Sequence, residues 1–216
     1  MLKPSQRREA MFYAKTSLFA AAVFLACFAY LKFLDIPGEV NKSVADTAII
    51  LMGLSMLISS ICYYWNRFDW TIIYRKYLGL VGFAFGIAHL LLSWGAFASL
   101  FRATTWSSGA YMPALAGVVA LGIFAIMAAV SNTFAASKLG GKAWRYILRT
   151  GYLAVIFVFL HVVLLKSARW VSWFTEGMKT LPSLSLLVSI FMVVVIVMRL
   201  LLWFSLWKAA KKIDQL

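Results

Sequence analysis

The chain has 216 residues, of which 63% are hydrophobic and 13% are charged, and its formal net charge is +14. Soluble domains are about 45–50% apolar and about 25% charged, so the composition excludes a soluble protein and indicates one embedded in a membrane. Since a helical span uses about 20 apolar residues, the length suffices for roughly six spans with short loops and excludes an appended soluble catalytic domain. The sequence carries no motif for nucleotide binding, metal-assisted or serine hydrolysis, or dithiol chemistry.

Six apolar segments, each bordered by charged or turn-forming residues, follow one another at residues 14–34, 44–65, 77–101, 111–131, 147–165 and 184–207. They predict an all-α fold, a bundle of six transmembrane helices forming one domain over residues 1–216. The first segment follows several basic residues, as in a signal peptide. No small-residue cleavage site comes after it, so we interpret it as an uncleaved span.

Basic residues are distributed unevenly between the two sides of this predicted bundle. Fourteen of the 21 Lys and Arg residues fall on the N-terminus, the loops after the second and fourth segments, and the C-terminus, whereas six fall on the opposite side. By the positive-inside rule, both termini are predicted to be cytoplasmic, in a multi-pass protein of the plasma (inner) membrane. Four acidic residues are assigned to the outer side: Asp35, Glu39, Asp46 and Glu176.

The only two histidines of the chain, His89 and His161, lie in the third and fifth segments. Ionisable residues within a span are costly and usually face the bundle interior, and a neutral imidazole binds metal ions and haem iron. The two segments run parallel, and His89 follows Lys76 by thirteen residues, while His161 follows Arg149 by twelve. At 1.5 Å per residue both rings lie roughly 18–20 Å above the basic border, so one flat macrocycle can be bound between them. A purely structural pair, between helices packed through small residues, is the alternative.

The outer end of the third segment fits this interpretation less well. His161 is five residues from Lys166, whereas His89 is thirteen residues from Arg102. The third span must therefore tilt or extend beyond the membrane if the rings are to match in depth. Trp94 also lies deep in this segment, where an interfacial aromatic belt does not explain it.

Two stretches around the histidines resemble a known family. They are Arg75-Lys76-Tyr77-Leu78-Gly79-Leu80 running on to His89, and Leu139-Gly140 followed by Trp144-Arg145, Arg149, Tyr152-Leu153 and His161. In these residues the chain is similar to the ferric-reductase-like transmembrane cytochromes, and most of all to the bacterial haem-binding membrane subunit of the periplasmic methionine sulfoxide reductase system. Two-haem members carry a second histidine thirteen or fourteen residues nearer the cytoplasm on each helix, where this chain has Arg75 or Lys76, and Leu148. The resemblance therefore implies a single outer haem b with His89 and His161 as axial ligands.

Basic residues surround the place of the missing inner histidines. Arg75, Lys76 and Arg149 border it, and Arg199 lies within the sixth segment. Such cations can bind the phosphate of a flavin such as FMN, or the headgroup of a quinone. The binding of a flavin is implied by the resemblance as much as it is indicated by charge. The same residues also serve positive-inside topology and attraction to anionic lipid, and this alternative stays open.

These observations predict an electron-transfer subunit that passes electrons from a separate cytoplasmic flavin reductase or quinol to an outside redox protein or metal ion. Its partners would be membrane lipid and these redox components, and not nucleic acid. Whether it counts as an enzyme is left undecided, because the chain has no substrate-reducing domain of its own. The alternative is a haem-free structural or assembly subunit. A small-solute transporter is disfavoured by the lack of proline-broken spans, of a buried acidic relay and of an inverted repeat.

Overall fold

The computed structural model describes residues 4–99, 101–102 and 111–213, and within these ranges the chain is almost entirely helical and contains no strand. The helices are α1 (Pro4–Phe33), α2 (Glu39–Tyr64), a 3-10 helix (Asn66–Thr71), α3 (Tyr74–Leu92), α4 (Trp94–Ser99), α5 (Met112–Val130), α6 (Thr133–Arg149), α7 (Gly151–Thr175) and α8 (Leu184–Ile213). Six helical segments, with α6 and α7 counted as one, are long and apolar enough to cross a membrane. The predicted all-α, six-span architecture is confirmed.

Helix α2 is the central element of the bundle. In its most apolar stretch 67% of the residues are buried by the rest of the protein, against at most 28% in the other spans. It packs against α1, α3, α7 and α8. Its buried Met52 and Met56 form one core cluster with Val155 of α7 and with Val188 and Met192 of α8. The other spans therefore expose most of their apolar surface on the outside of the bundle, where lipid would lie.

The contact between α2 and α3 depends on a close approach at Gly82. A Cβ atom at this position would lie 2.8 Å from Cγ of Met52 and 3.0 Å from its backbone nitrogen. Glycine thus lets the α3 backbone lie directly on α2. Three residues after Met52 on α2, Ser55 Oγ donates to the carbonyl oxygen of Arg75 in the first turn of α3 at 2.7 Å, and this hydrogen bond fixes the register of the two helices.

The helices that carry the two histidines have different packing partners. Helix α3 packs on α2, α1 and α5, whereas α7 packs mainly on α5 and α8. The space between α3 and α7 is therefore flanked by α2 on one side and α5 on the other.

Three of the predicted segment limits are wrong in ways that matter for the site. The third span ends at Leu92 and not at residue 101, because the chain turns at Ser93 before the short helix α4. Trp94 therefore begins α4 beyond the end of α3, 57% exposed, which explains why it does not fit deep in a span. Helix α7 extends to Thr175 and carries Lys166 within it. The connection between the fourth and fifth segments is helical, as α6, with a break at Gly140, where φ is +73°.

Candidate functional site

The structure brings the two histidine rings together in the space between α3 and α7. The ring centroids of His89 and His161 are 6.5 Å apart, and the ring planes are inclined by 72°. Metal–imidazole bonds are about 2.0–2.1 Å long, and a ring nitrogen lies about 1.15 Å from its centroid, so two imidazoles on opposite sides of one metal ion have centroids roughly 6.4 Å apart. The observed separation of 6.5 Å is close to this distance, and it is also that of two rings in edge-on contact.

His89 is held by a side chain of the central helix. Its Nδ1 is 2.7 Å from Oδ1 of Asn41, and Nδ2 of the same amide donates to Ser93 Oγ at 2.9 Å. Because the amide nitrogen is committed to Ser93, the oxygen faces His89 and can only accept a hydrogen bond. Nδ1 of His89 is therefore the protonated nitrogen, and Nε2 carries the lone pair.

His161 is held by the backbone of α5. Its Nδ1 donates to the carbonyl oxygen of Pro113 at 2.6 Å. One turn further along α5 lies Gly117, where a Cβ atom would come within 2.9 Å of the same Nδ1 and 3.2 Å of Cε1. Only a residue without a side chain lets the imidazole lie this close to the helix. Here too, Nδ1 is the donor and Nε2 is left for a ligand.

This arrangement matches the outer-sphere support that metal-binding histidines have in general, in which the second ring nitrogen donates to a protein oxygen and fixes tautomer and orientation. In the described part of the chain, no group of three or more His, Cys, Asp and Glu residues is placed to bind a metal ion. A bare metal ion would need further protein ligands, typically four in a structural zinc site. Two opposed imidazoles instead suit a metal that brings its own equatorial ligands, as haem iron does.

The four basic residues predicted to bind a cofactor divide into two pairs. Arg75 and Arg199 lie in the interior: Nε of Arg75 donates to the Ser55 carbonyl at 3.1 Å, and the Arg199 guanidinium lies 4.7 Å from the ring centroid of Tyr152. Arg75 lies within electrostatic range of both Tyr152 and Arg199. The Tyr152 hydroxyl donates to the Met56 carbonyl at 3.0 Å, so these three side chains form a polar layer between α2, α3, α7 and α8.

Lys76 and Arg149 are directed to the protein surface and away from this layer. Lys76 forms an ion pair with Glu9 of α1 at 2.7 Å. Arg149 is exposed and lies 5.7 Å from the ring centroid of Tyr146, a neighbour on its own helix. The structure thus places Arg75 with Arg199, and it places Lys76 and Arg149 elsewhere.

Three features near the histidines are not evident from the sequence. Asn41 lies outside the predicted second span and 48 residues from His89, so nothing in the sequence indicates that the two side chains meet. The Pro113 carbonyl carries no side-chain signal at all. Asp46, assigned to the outer side, is instead 8% exposed within α2, because this helix begins at Glu39 and carries Asp46 into the bundle in its second turn.

Fold and site together define a polytopic, all-helical membrane protein with an anchored pair of intramembrane imidazoles. No protein family model matches the chain, and no curated protein matches it in sequence.

Proposed function

We propose that this chain is a membrane b-type cytochrome subunit that relays electrons through one haem b, with His89 and His161 as axial ligands. One observation carries the proposal: two imidazoles from helices α3 and α7 lie 6.5 Å apart, and each uses Nδ1 for a hydrogen bond to the protein. Their Nε2 atoms are the nitrogens available as ligands. The motifs around both histidines, which resemble those of ferric-reductase-like cytochromes, support the same assignment.

The residues of the site would orient the ligands before the cofactor binds. Asn41 and the Pro113 carbonyl hold the two rings against rotation, so little rotational freedom is left to lose on ligation. Haem iron bound by two imidazoles supplies one-electron redox chemistry and has no open coordination position. We therefore assign electron transfer and not oxygen activation to this protein.

The position of the histidines makes the site asymmetric across the bundle. His89 lies three residues before the end of α3 at Leu92 and thirteen residues after Lys76, about 20 Å along the helix. On α3 the site thus lies nearer the outer side, where the proposed acceptor, a redox protein or metal ion, would take the electrons. A cytoplasmic flavin reductase or a quinol on the basic side needs an intermediate group in between.

The polar layer of Arg75, Arg199 and Tyr152 lies on the basic side of the histidines, where such a group would bind. In the described part of the chain, neither arginine forms an ion pair. No carboxylate among the described residues neutralises the two guanidinium groups. They therefore favour a ligand with a negative charge or with carbonyl oxygens, because a positive charge inside a membrane is costly unless it is paired. We propose FMN or a quinone as the group bound here.

The test is an absorbance spectrum of the purified protein in detergent, oxidised and dithionite-reduced, with the haem-to-protein ratio. We expect a low-spin b-type spectrum with one haem per chain, which either His89→Ala or His161→Ala abolishes. Asn132→Ala is the matched control, because it removes the Asn132 side chain that caps α6 through the Ala135 nitrogen without approaching the histidines. A folded protein that stays colourless after expression with ample haem would refute the proposal and favour a structural subunit with two packing histidines.

A further inference from the structure

A cavity on the basic side of the bundle has no histidine in its lining. It is a groove of about 660 Å³ between α1, α2, the 3-10 helix and the beginning of α3. Ligand sites commonly measure about 300–1,000 Å³, so the groove can hold a substantial part of a small amphipathic molecule. Its walls are fixed by aromatic contacts of Phe12 in α1, whose ring stacks on Tyr77 at 5.3 Å and meets Tyr74 edge-on at 5.4 Å.

One end of the groove is positively charged, and the rest of its wall is apolar. Lys15 and Arg67 supply positive charge, and no acidic side chain is among the described residues that line it. Aliphatic and aromatic residues, including Phe19, Leu54 and Leu78, form the wall that continues toward the middle of the bundle. Trp65 and Trp70, which are 49% and 68% exposed, lie at the same end as the cations. This is the pattern of a membrane–water border, where tryptophan and basic residues meet phosphate groups.

We propose that this groove binds one anionic phospholipid of the leaflet on the basic side. Its phosphate lies between Lys15 and Arg67, and an acyl chain lies along Phe19 and Leu78. Charge complementarity favours this occupant, because two cations with no acidic residue in the described lining fit a net negative phosphate headgroup at a membrane–water border. The proposal is independent of haem binding and stands or falls separately from it.

The test is native mass spectrometry of the full chain after equilibration in detergent with equal amounts of phosphatidylglycerol and phosphatidylcholine. We expect one retained phosphatidylglycerol per chain. The double variant Lys15→Gln/Arg67→Gln should retain it about thirtyfold less, since each basic residue near a membrane surface contributes roughly 1 kcal/mol to binding of an anionic lipid and about 1.4 kcal/mol corresponds to a factor of ten. Lys138→Gln/Lys142→Gln on α6 is the matched control, because it removes the same charge from exposed positions outside the groove.

The proposal is overturned by equal retention of the two lipids, by an equal loss in the Lys138 and Lys142 control, or by a retained mass that corresponds to a quinone.

Discussion

Substitution of Asn41 tests most directly how the candidate haem site is built. Asn41→Ala removes the acceptor 2.7 Å from His89 Nδ1 and also the donor 2.9 Å from Ser93 Oγ. A buried donor left without an acceptor costs about 1–3 kcal/mol. The loss also frees the ring to rotate and to change tautomer, so Nε2 is no longer fixed as the ligand nitrogen. Removal of such a supporting partner typically weakens metal binding about 10–100-fold.

The assay is a titration of the haem-free protein with haem, followed by absorbance near the Soret maximum. We expect the dissociation constant of Asn41→Ala to rise by that factor, while Asn41→Asp, which keeps an oxygen at the same place, binds close to the wild type. Asn132→Ala controls for a general loss of stability, since a helix cap is worth about 1 kcal/mol. An unchanged affinity and spectrum in a folded Asn41→Ala protein would refute the role of Asn41 and weaken the case for His89 as a ligand.

Three further expectations follow from particular contacts. Gly117→Ala places a methyl group 2.9 Å from His161 Nδ1 and should weaken haem binding in the same titration, whereas Gly122→Ala on the same helix, with open space around it, should not. Gly82→Ala should lower the stability in detergent by about 1–3 kcal/mol, measured by thermal unfolding, because it overpacks the contact of α3 with α2; stability equal to that of Gly122→Ala would contradict this. In intact cells an impermeant thiol reagent should label Lys179→Cys and not Lys211→Cys, and the reverse would overturn the predicted orientation.

Much of the fold is predictable from the sequence because hydropathy alone marks the spans. All six exist, and their number and helical type depend only on runs of apolar residues. The end of the third span was not predictable in this way, since residues 94–101 are nearly as apolar as those before them. The helix stops at Ser93, whose Oγ accepts a hydrogen bond from Asn41 of another helix. A tertiary contact of this kind leaves no periodic signal in the sequence.

In the candidate site, too, the features that depend on helix geometry could be predicted, and those that depend on tertiary contacts could not. The matching depth of His89 and His161 follows from helix rise and parallel direction, and the rings do lie side by side. Clustering of the four basic residues did not follow from charge, because each arginine or lysine has a long side chain that can turn either way. Arg75 and Arg199 turn inward, while Lys76 finds Glu9 on α1, a partner remote in sequence. The two anchors of the imidazoles come from α2 and α5, helices that the histidine motifs do not include.

The two anchors also make it possible to ask whether one metal ion joins the rings. Asn41→Ala acts on His89, and Gly117→Ala acts on His161, and the two altered positions lie on different helices, α2 and α5. Without haem, their effects on the free energy of unfolding should add to within about 0.3–0.5 kcal/mol, as for independent sites. With haem bound to both rings, each variant alters the same coordination sphere, and the interaction energy should exceed about 0.5 kcal/mol. A double-mutant cycle on the haem-loaded and haem-free proteins measures this difference, and an interaction energy that is the same in both would mean that the imidazoles do not share an iron.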